Sequence, residues 1–212
     1  MATTESMNIH KGLIELKILE DRIEKAIYAG DYCTWKKNAT TQIKGVSIAD
    51  YEDTVKNSYT SVKDLIKRRN AIKQAIVLSN ACTKVQIGEK EYTVAEAIEM
   101  KNHGIEFQQQ LLSAMKTNLA NVQNKIVSNN SSLDEKADRF VTSMLGTKEK
   151  VNVSEFEKAR QDYITANELL LVDPLNLEKE IKDLETKIDT FLSEVDSTLS
   201  TSNALTIINV AY

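Results

Sequence analysis

The residues of this chain that could do chemistry are few and widely spaced. His10 and His103 are the only histidines, and Cys33 and Cys82 are the only cysteines. A metal site needs three or four convergent ligands. Neither histidine has a cysteine or a second histidine near it in the sequence. We therefore expect each histidine to be structural or exposed and no metal ion to be bound.

Two pairs of closely spaced carboxylates could perform general acid–base chemistry: Glu96 with Glu99, and Glu178 with Glu180. Both pairs fall on predicted helices with lysines nearby, a pattern typical of a solvated helix face. The sequence contains no nucleophile motif, no Gly-rich phosphate loop and no dinucleotide-binding fingerprint. It therefore predicts a protein that is not an enzyme and has no cofactor, unless a site is assembled across subunits.

The composition favours a few long elements. The 212 residues include only 6 Gly and 1 Pro, whereas ordinary usage is about 7% and 5%. Because these residues punctuate turns and loops, their scarcity indicates long helices. We predict a mainly α fold, an elongated helical bundle or coiled coil with a small two- or three-stranded β element at one end. We expect a single helical domain over residues 1–212.

The charge pattern limits the classes of partner. The chain has 27 basic and 31 acidic residues, closely mixed, and a formal net charge of −4. The run Lys67-Arg68-Arg69 is too short to provide the clustered cations that phosphate binding needs, so nucleic acid is not expected as a partner. No stretch approaches the roughly 18 apolar residues of a membrane span. Residues 1–7 do not resemble a signal peptide, and we expect a cytoplasmic protein with reduced cysteines.

The first helix is predicted over residues 7–29, where Ile9, Leu16 and Ile23 recur every seven residues, and Gly30 ends it. A second apolar strip lies on another face of the same helix, so this helix could be covered on two sides. The strip consists of Ile14, Ile18 and Ile27.

A mixed, irregular loop follows over residues 30–46 and holds the only tryptophan, Trp35. Loops of this kind often carry function. Two interpretations are open for Trp35. It could cap the end of the helical bundle, which the sequence favours, or it could contact a partner protein.

The later elements are marked by capping and turn residues. Ser47 is a predicted N-cap, Gly88 is predicted to open a type II′ turn, and Thr93 with Glu96 forms a capping box. Asp173 followed by proline is a predicted helix start. The predicted elements are a helix over 47–80, a β-hairpin over 83–93, a long helix over 94–145 that we expect to be broken near 129–132, a helix over 154–171, a heptad helix over 174–201, and a strand-like tail over 205–210.

The last helix has the clearest seam in the chain. Its apolar residues alternate at spacings of four and three, which is the heptad pattern of a coiled coil. Such a seam can be buried within the chain or against a second subunit. The seam residues are Leu177, Ile181, Leu184, Ile188, Phe191 and Val195.

Two helices end in similar sequences, Ser-Asn-Ala-Cys-Thr at residues 79–83 and Ser-Asn-Ala-Leu-Thr at residues 202–206. Alternating apolar residues follow each, so both helices are predicted to stop at a threonine and feed a short strand. In the tail, Ile208 and Val210 share one face. An apolar strand needs a partner edge, and two are available: the hairpin of the same chain or a sheet edge in a neighbouring subunit.

The segment from residue 65 to 101 resembles the septicolysin-like family of small helical bacterial proteins. A helix runs into Asn80 and Thr83, a turn follows at Gly88, and Thr-Val-Ala-Glu-Ala at residues 93–97 starts the next helix. The resemblance implies a helical fold and, from the family name, a toxin-like role, but it supplies no catalytic residues. The long loop over residues 31–46 and the apolar tail depart from the family pattern.

The overall character of the chain is similar to structural proteins of phage virions from low-GC hosts, which are commonly small, Gly-poor and rich in coiled coils. The favoured function is therefore a non-enzymatic structural or assembly protein that acts as a homo-oligomer, in a phage head, neck or tail, with itself and other structural proteins as partners. The alternative is a toxin-like or regulatory protein-binding module of a bacterial cytoplasm. The interface candidates are Trp35, Leu177, Ile181, Leu184, Ile188, Phe191, Val195, Ile208 and Val210.

Overall fold

The computed structural model describes residues 4–146 and 152–212. It is 74% helical with small two-stranded antiparallel sheets, which confirms the mainly α fold. Residues 1–3, part of the segment considered for a signal peptide, lie outside the described residues. The elements are β1 (Thr4–Asn8), α1 (Ile9–Ala29), β2 (Gln42–Ile43), β3 (Val46–Ser47), α2 (Ile48–Cys82), β4 (Lys84–Ile87), β5 (Lys90–Thr93), α3 (Val94–Glu99), a π-helix (Met100–Gly104), α4 (Ile105–Asn130), α5 (Leu133–Leu145), α6 (Val153–Asn167), α7 (Leu177–Leu205) and β6 (Ile207–Ala211).

The chain divides into two compact units, where the sequence led us to expect one helical domain. Unit 1 comprises Met1–Asn102 and Thr190–Tyr212, and unit 2 comprises His103–Asp189.

The core of unit 1 lies between α1, α2 and the sheet formed by β1 and β6. A Cβ placed on Gly12 would lie 3.3 Å from Ile76 Cδ1 and 3.5 Å from Ile208 Cδ1. Because Gly12 is near the start of α1 and Ile76 near the end of α2, the two helices are antiparallel. A larger residue at position 12 would push them apart, since packed interiors tolerate little added volume. The buried core residues are Met7, Ile9, Leu16, Leu19, Ile72, Ile76, Ile208 and Val210.

The apolar tail is a strand, as the sequence predicted, but neither predicted partner is the one found. β6 pairs antiparallel with β1, with Met7 opposite Ile208 and Glu5 opposite Val210. The hairpin forms a separate two-stranded sheet. Sequence reasoning missed β1 because Met7 is the only large apolar residue in Thr4–Asn8, so the strand shows no alternation.

The repeated Ser-Asn-Ala-x-Thr sequences do stop two helices in the same way. Thr83 N donates to Ser79 O at 2.8 Å, and Thr206 N donates to Ser202 O at 2.9 Å. Each helix then feeds a strand, β4 or β6. Neither helix leaves through a left-handed asparagine, because in the described ranges the non-glycine residues with positive φ are Lys44 and Asn176.

The hairpin of β4 and β5 forms at the predicted position. Gly88 has φ +57°, whereas Glu89 does not have a positive φ, which agrees with a type II′ turn. Gly88 N donates to Glu194 Oε2 at 2.7 Å. The rings of Tyr92 and Phe191 meet edge to face at 5.8 Å. The hairpin is thereby fixed to the last part of α7.

The loop over residues 30–46 contains a hairpin that the sequence analysis did not predict. Gln42 pairs with Ser47 and Ile43 with Val46. The turn residues Lys44 and Gly45 both have positive φ, 53° and 82°, as a type I′ turn requires. Lysine rarely adopts a positive φ, so the dipeptide Lys-Gly indicates a hairpin turn less strongly than Asn-Gly does.

The capping box that starts α3 is present as predicted. Thr93 Oγ1 accepts from Glu96 N at 3.1 Å, and Thr93 N donates to Glu96 Oε2 at 2.7 Å. The backbone and hydroxyl of Thr93 hold the pKa of Glu96 below its usual range. A carboxyl whose folded pKa is depressed stabilises the fold above its unfolded pKa and loses this effect as the pH falls through the folded pKa.

We therefore expect Thr93→Ala to lower the free energy of unfolding by about 1 kcal/mol at pH 7. The stabilisation that Glu96 contributes should decline in acid. Urea unfolding followed by circular dichroism at pH 7 and at acid pH would measure both effects. Thr117→Ala, within α4 and away from a helix end, is the matched control and should leave stability nearly unchanged. Equal stability of the two variants would show that the cap contributes nothing.

The long predicted helix over residues 94–145 is interrupted at two places. The predicted break near 129–132 is confirmed: α4 ends at Asn130, and α5 begins at Leu133. The π-helix Met100–Gly104 was not predicted, because the apolar spacing continues through it. Gly146, with φ +95°, ends α5 as expected.

The two last helices have different limits from those predicted. The helix predicted over 154–171 ends at Asn167, and the one predicted over 174–201 runs over Leu177–Leu205. Asp173 does cap, but its carboxylate accepts from Leu175 N at 3.2 Å and Leu177 N at 2.7 Å. Asn176, with φ +53°, separates this turn from the helix proper.

Unit 2 is built on α5 and α6, joined by polar and aromatic contacts. Arg160 binds Asp138 at 2.7 Å and also binds Asp134. The hydrogen bond that Arg160 donates to Asp138 is the first cause of the raised pKa of Arg160. The rings of Phe140 and Tyr163 lie 4.7 Å apart. In the same unit, Lys116 of α4 pairs with Glu185 of α7 at 2.6 Å.

Candidate interaction surfaces

The residues that could have done chemistry are not brought together. His10, His103, Cys33 and Cys82 are all exposed, and both cysteines are free thiols. Among the described residues, no group of three or more His, Cys, Asp or Glu side chains could hold a metal ion.

The two acidic pairs also have ordinary structural surroundings. Glu96 is occupied by the capping box of α3, and its neighbour Glu99 is exposed. Glu178 accepts from Gln123 Nε2 at 3.2 Å, and Glu180 is exposed. Of the four carboxyl groups, Glu96 serves a helix cap, Glu178 accepts a hydrogen bond from a glutamine, and Glu99 and Glu180 lie on exposed helix faces. No helix in residues 4–146 and 152–212 is both long and apolar enough to cross a bilayer.

The heptad seam of α7 changes in exposure along its length. Leu177, Ile181 and Leu184 are half-buried. The following seam residues, Ile188, Phe191 and Val195, are buried within this chain. The second half of the seam is therefore an internal contact, and only the first half retains surface that a second subunit could cover.

The tail residues Ile208 and Val210 are buried in the core of their own unit. Arg68 of α2 holds the two chain ends over this core: it binds Glu5 at 2.9 Å, and it also binds Glu15 and the hydroxyl of Tyr212. The hydrogen bond that Arg68 donates to Glu15 is the first cause of the raised pKa of Arg68. The tail is thus a structural element, and its two apolar side chains are not available to a partner.

Trp35 has 83% of its surface exposed, and its neighbours in residues 32–39 are also exposed. The favoured interpretation, a cap over the end of a helical bundle, is therefore wrong for the isolated chain. Tyr28, at the end of α1, is exposed to the same extent. Lys36 and Lys37 follow the tryptophan directly, so the loop presents an aromatic ring beside two cations.

The outer face of α1 carries the second apolar strip that the sequence indicated. Ile14 and Ile18 lie one turn apart on the face opposite the core residues Leu16 and Leu19, and they are 50% and 52% exposed. Ile27 belongs instead to the edge of the α1–α2 contact, where it lines a shallow groove. The strip on the outer face is therefore shorter than predicted.

An exposed apolar segment in unit 2 was missed by the sequence analysis. Residues 168–173, named here the connecting segment, are neither helix nor strand. Leu170 and Val172 are 73% and 87% exposed, with Leu171 between them less exposed. The predicted helix extended to Leu171, but four consecutive apolar residues followed by Asp-Pro have no helical period, and that signal could have identified the segment.

The connecting segment is held at both ends. Asn130 Nδ2 donates to Leu169 O at 2.9 Å, and Leu169 N donates to Asn130 Oδ1 at 3.1 Å. This paired hydrogen bond imitates the contact that a neighbouring strand would make. At the other end, Asp173 caps the turn before α7. The exposed leucines are thus presented from fixed backbone rather than from a free loop.

No family model, no curated protein and no solved structure matches this chain. The resemblance to the septicolysin-like proteins therefore rests on the sequence motifs alone, and a function has to be argued from the surfaces described above.

Proposed function

We propose that this protein is a structural, assembly-forming protein that works as a homo-oligomer, and that the assembly is a phage virion. The observation that carries the self-association is the outer strip of α1. Ile14 and Ile18 are half-exposed on a helix whose other face already has a complete core. Two aliphatic side chains one turn apart form a ridge that a second helix can cover.

The rest of the surface supports the same proposal. Large apolar side chains are exposed on both units, on the strip of α1 and on the connecting segment. Extended apolar patches on a soluble chain mark interaction sites. The placement in a phage head, neck or tail is supported by the Gly-poor, helix-rich character of the sequence, with other virion proteins as the further partners.

The self-association is tested by sedimentation equilibrium of the full chain and of the double variant Ile14→Lys/Ile18→Lys. We expect the unaltered chain to form oligomers at micromolar concentration. The variant should have a smaller mass, because burying two unpaired ammonium groups in an apolar contact is unfavourable. Both side chains are half-exposed, so the melting temperature should change little.

Glu24→Lys provides the control for added positive charge on an exposed site of the same helix. It should leave the oligomer mass unchanged. An unaltered chain that stays monomeric at the highest soluble concentration would overturn the proposal. A reading frame that lies among portal, capsid or tail genes would support the virion assignment.

The alternative, a toxin-like or regulatory module, is favoured by one observation, the fully presented Trp35. In that case the chain would be monomeric, and Trp35 would be its contact residue. The fluorescence of this single tryptophan separates the two candidates. A monomeric protein whose emission is typical of a solvent-exposed tryptophan favours the module. The same emission in a stable oligomer shows that the loop lies outside the contact between copies.

A further inference from the structure

The connecting segment has the features of a strand without a partner. Glu168 leaves α6 in an extended conformation, with φ −64° and ψ 130°. The exposure of the next residues alternates, because Leu170 and Val172 are more exposed than Leu171. In the described part of the chain, no hydrogen bond involves the backbone of these three residues. Their backbone groups and apolar side chains can therefore both be satisfied by a sheet edge.

Unit 1 has a sheet edge with matching backbone groups. Ile9 N donates to Thr206 O at 3.1 Å, so the hydrogen-bonded pairs of β1 and β6 continue at Met7–Ile208 and Glu5–Val210. In an antiparallel pair the intervening residues direct their backbone groups outwards. The amides and carbonyls of Ile207, Asn209 and Ala211 thus form a free edge, because β6 has no second neighbour among the described strands.

A groove of about 460 Å³ lies at the end of this edge. Ala211 lines it together with Ile66, Lys63 and Lys67 of α2. The groove offers an apolar side chain and two cations one helical turn apart. No ion pair within residues 4–146 and 152–212 involves either lysine.

The charges of the connecting segment complement this groove. Its four uncharged residues, 169–172, are flanked by Glu168 and Asp173. Antiparallel pairing of the segment with itself would set Glu168 of one copy against Asp173 of the other, which is unfavourable. Pairing with the edge of β6 can instead set Glu168, which shares a strand face with Leu170 and Val172, beside Lys63 and Lys67. Charge complementarity therefore selects the groove over self-pairing.

We propose that the connecting segment of one copy adds as a third strand to the β6 edge of a second copy, with Leu170 and Val172 over Ile66 and with Glu168, on the same strand face, beside Lys63 and Lys67. The inference rests on the proposed function, because it names a contact through which the copies associate. The two surfaces in contact are different, so the interface is head-to-tail. Such an interface builds rings or filaments rather than closed dimers.

The test uses two full-length variants, each also carrying Ile14→Lys/Ile18→Lys so that the strip of α1 does not contribute. The donor variant adds Leu170→Asp/Val172→Asp. The groove variant adds Lys63→Glu/Lys67→Glu. Every changed side chain is at the surface, and circular dichroism confirms folding. Val127→Asp, at an exposed aliphatic residue of α4, is the control for adding a carboxylate outside the connecting segment.

We expect the α1 variant to self-associate still, and the donor and groove variants each to weaken that association at least about tenfold. An equimolar mixture of the two should form a 1:1 heterodimer, because each contributes the surface that the other lacks. Sedimentation velocity measures all four samples. Undiminished association of the donor or groove variant, or no heterodimer in the mixture, would overturn the strand addition while leaving the proposed oligomer intact. A monomeric unaltered chain would overturn the proposed function itself.

Discussion

Val210→Asp is expected to unfold unit 1 at neutral pH or to lower its free energy of unfolding by at least about 3 kcal/mol. Val210 is fully buried in the core between α1, α2 and the two-stranded sheet. The substitution would remove the stabilisation that comes from burying the valine side chain, and it would place an unpaired carboxylate in an apolar core. Such a carboxyl has a raised pKa, so the loss should be smaller at acid pH, where the group is neutral in both states. Thermal and urea unfolding followed by circular dichroism would measure it.

The matched control is Asn209→Asp, one residue away on the opposite face of β6. Asn209 is exposed, and its side-chain oxygen accepts from Ser6 Oγ at 2.6 Å, a role that a carboxylate keeps. Its stability should change by less than about 0.5 kcal/mol. If both variants were equally stable, the tail would not be part of the core. The same burial implies that deleting residues 205–212 destabilises unit 1.

Ile188→Asp is expected to lower the free energy of unfolding by about 3 kcal/mol. Ile188 is only 3% exposed in the single chain, in the middle of the α7 seam. The charge would therefore oppose the fold of the monomer and not only a contact between subunits. Urea unfolding at several protein concentrations separates these effects. Stability from an intersubunit contact grows with protein concentration, whereas stability lost from the fold of the monomer is lost equally at every concentration.

The control is Lys187→Asp, which introduces an aspartate one position earlier, at an exposed residue of α7. It should change the stability by no more than about 0.5 kcal/mol. An Ile188→Asp protein that melts like this control would mean that the seam is not a buried contact in solution.

Much of the local structure follows from short-range chemistry that a sequence displays directly. The ends of α1, α2 and α5 at Gly30, Thr83 and Gly146, the start of α3 at Thr93, and the turn at Gly88 depend on residues within four positions of the event. The break between α4 and α5 likewise depends on residues close to it in the sequence. Hydrophobic periodicity identified the helical regions, because one face of each helix is buried.

The partners of the apolar surfaces are visible only in the folded chain. A heptad seam or a strand face has the same pattern whether its partner is in the same chain or in another. Ile208 and Val210 were therefore reasonable candidates for an interface. Their strand instead pairs with β1, about 200 residues away in sequence, and their side chains are buried in the core with residues of α1 and α2. No local signal encodes that pairing.

A helix-rich chain with a hairpin after α2, a strand at the tail and no motif for catalysis can be recognised from the residues alone. The fold places the tail and half of the α7 seam inside, and it leaves Trp35, the outer strip of α1 and the connecting segment exposed. Capping and periodicity act within one or two helical turns, whereas burial depends on contacts between distant parts of the chain. The surfaces left exposed by that packing are the ones from which a function can be argued.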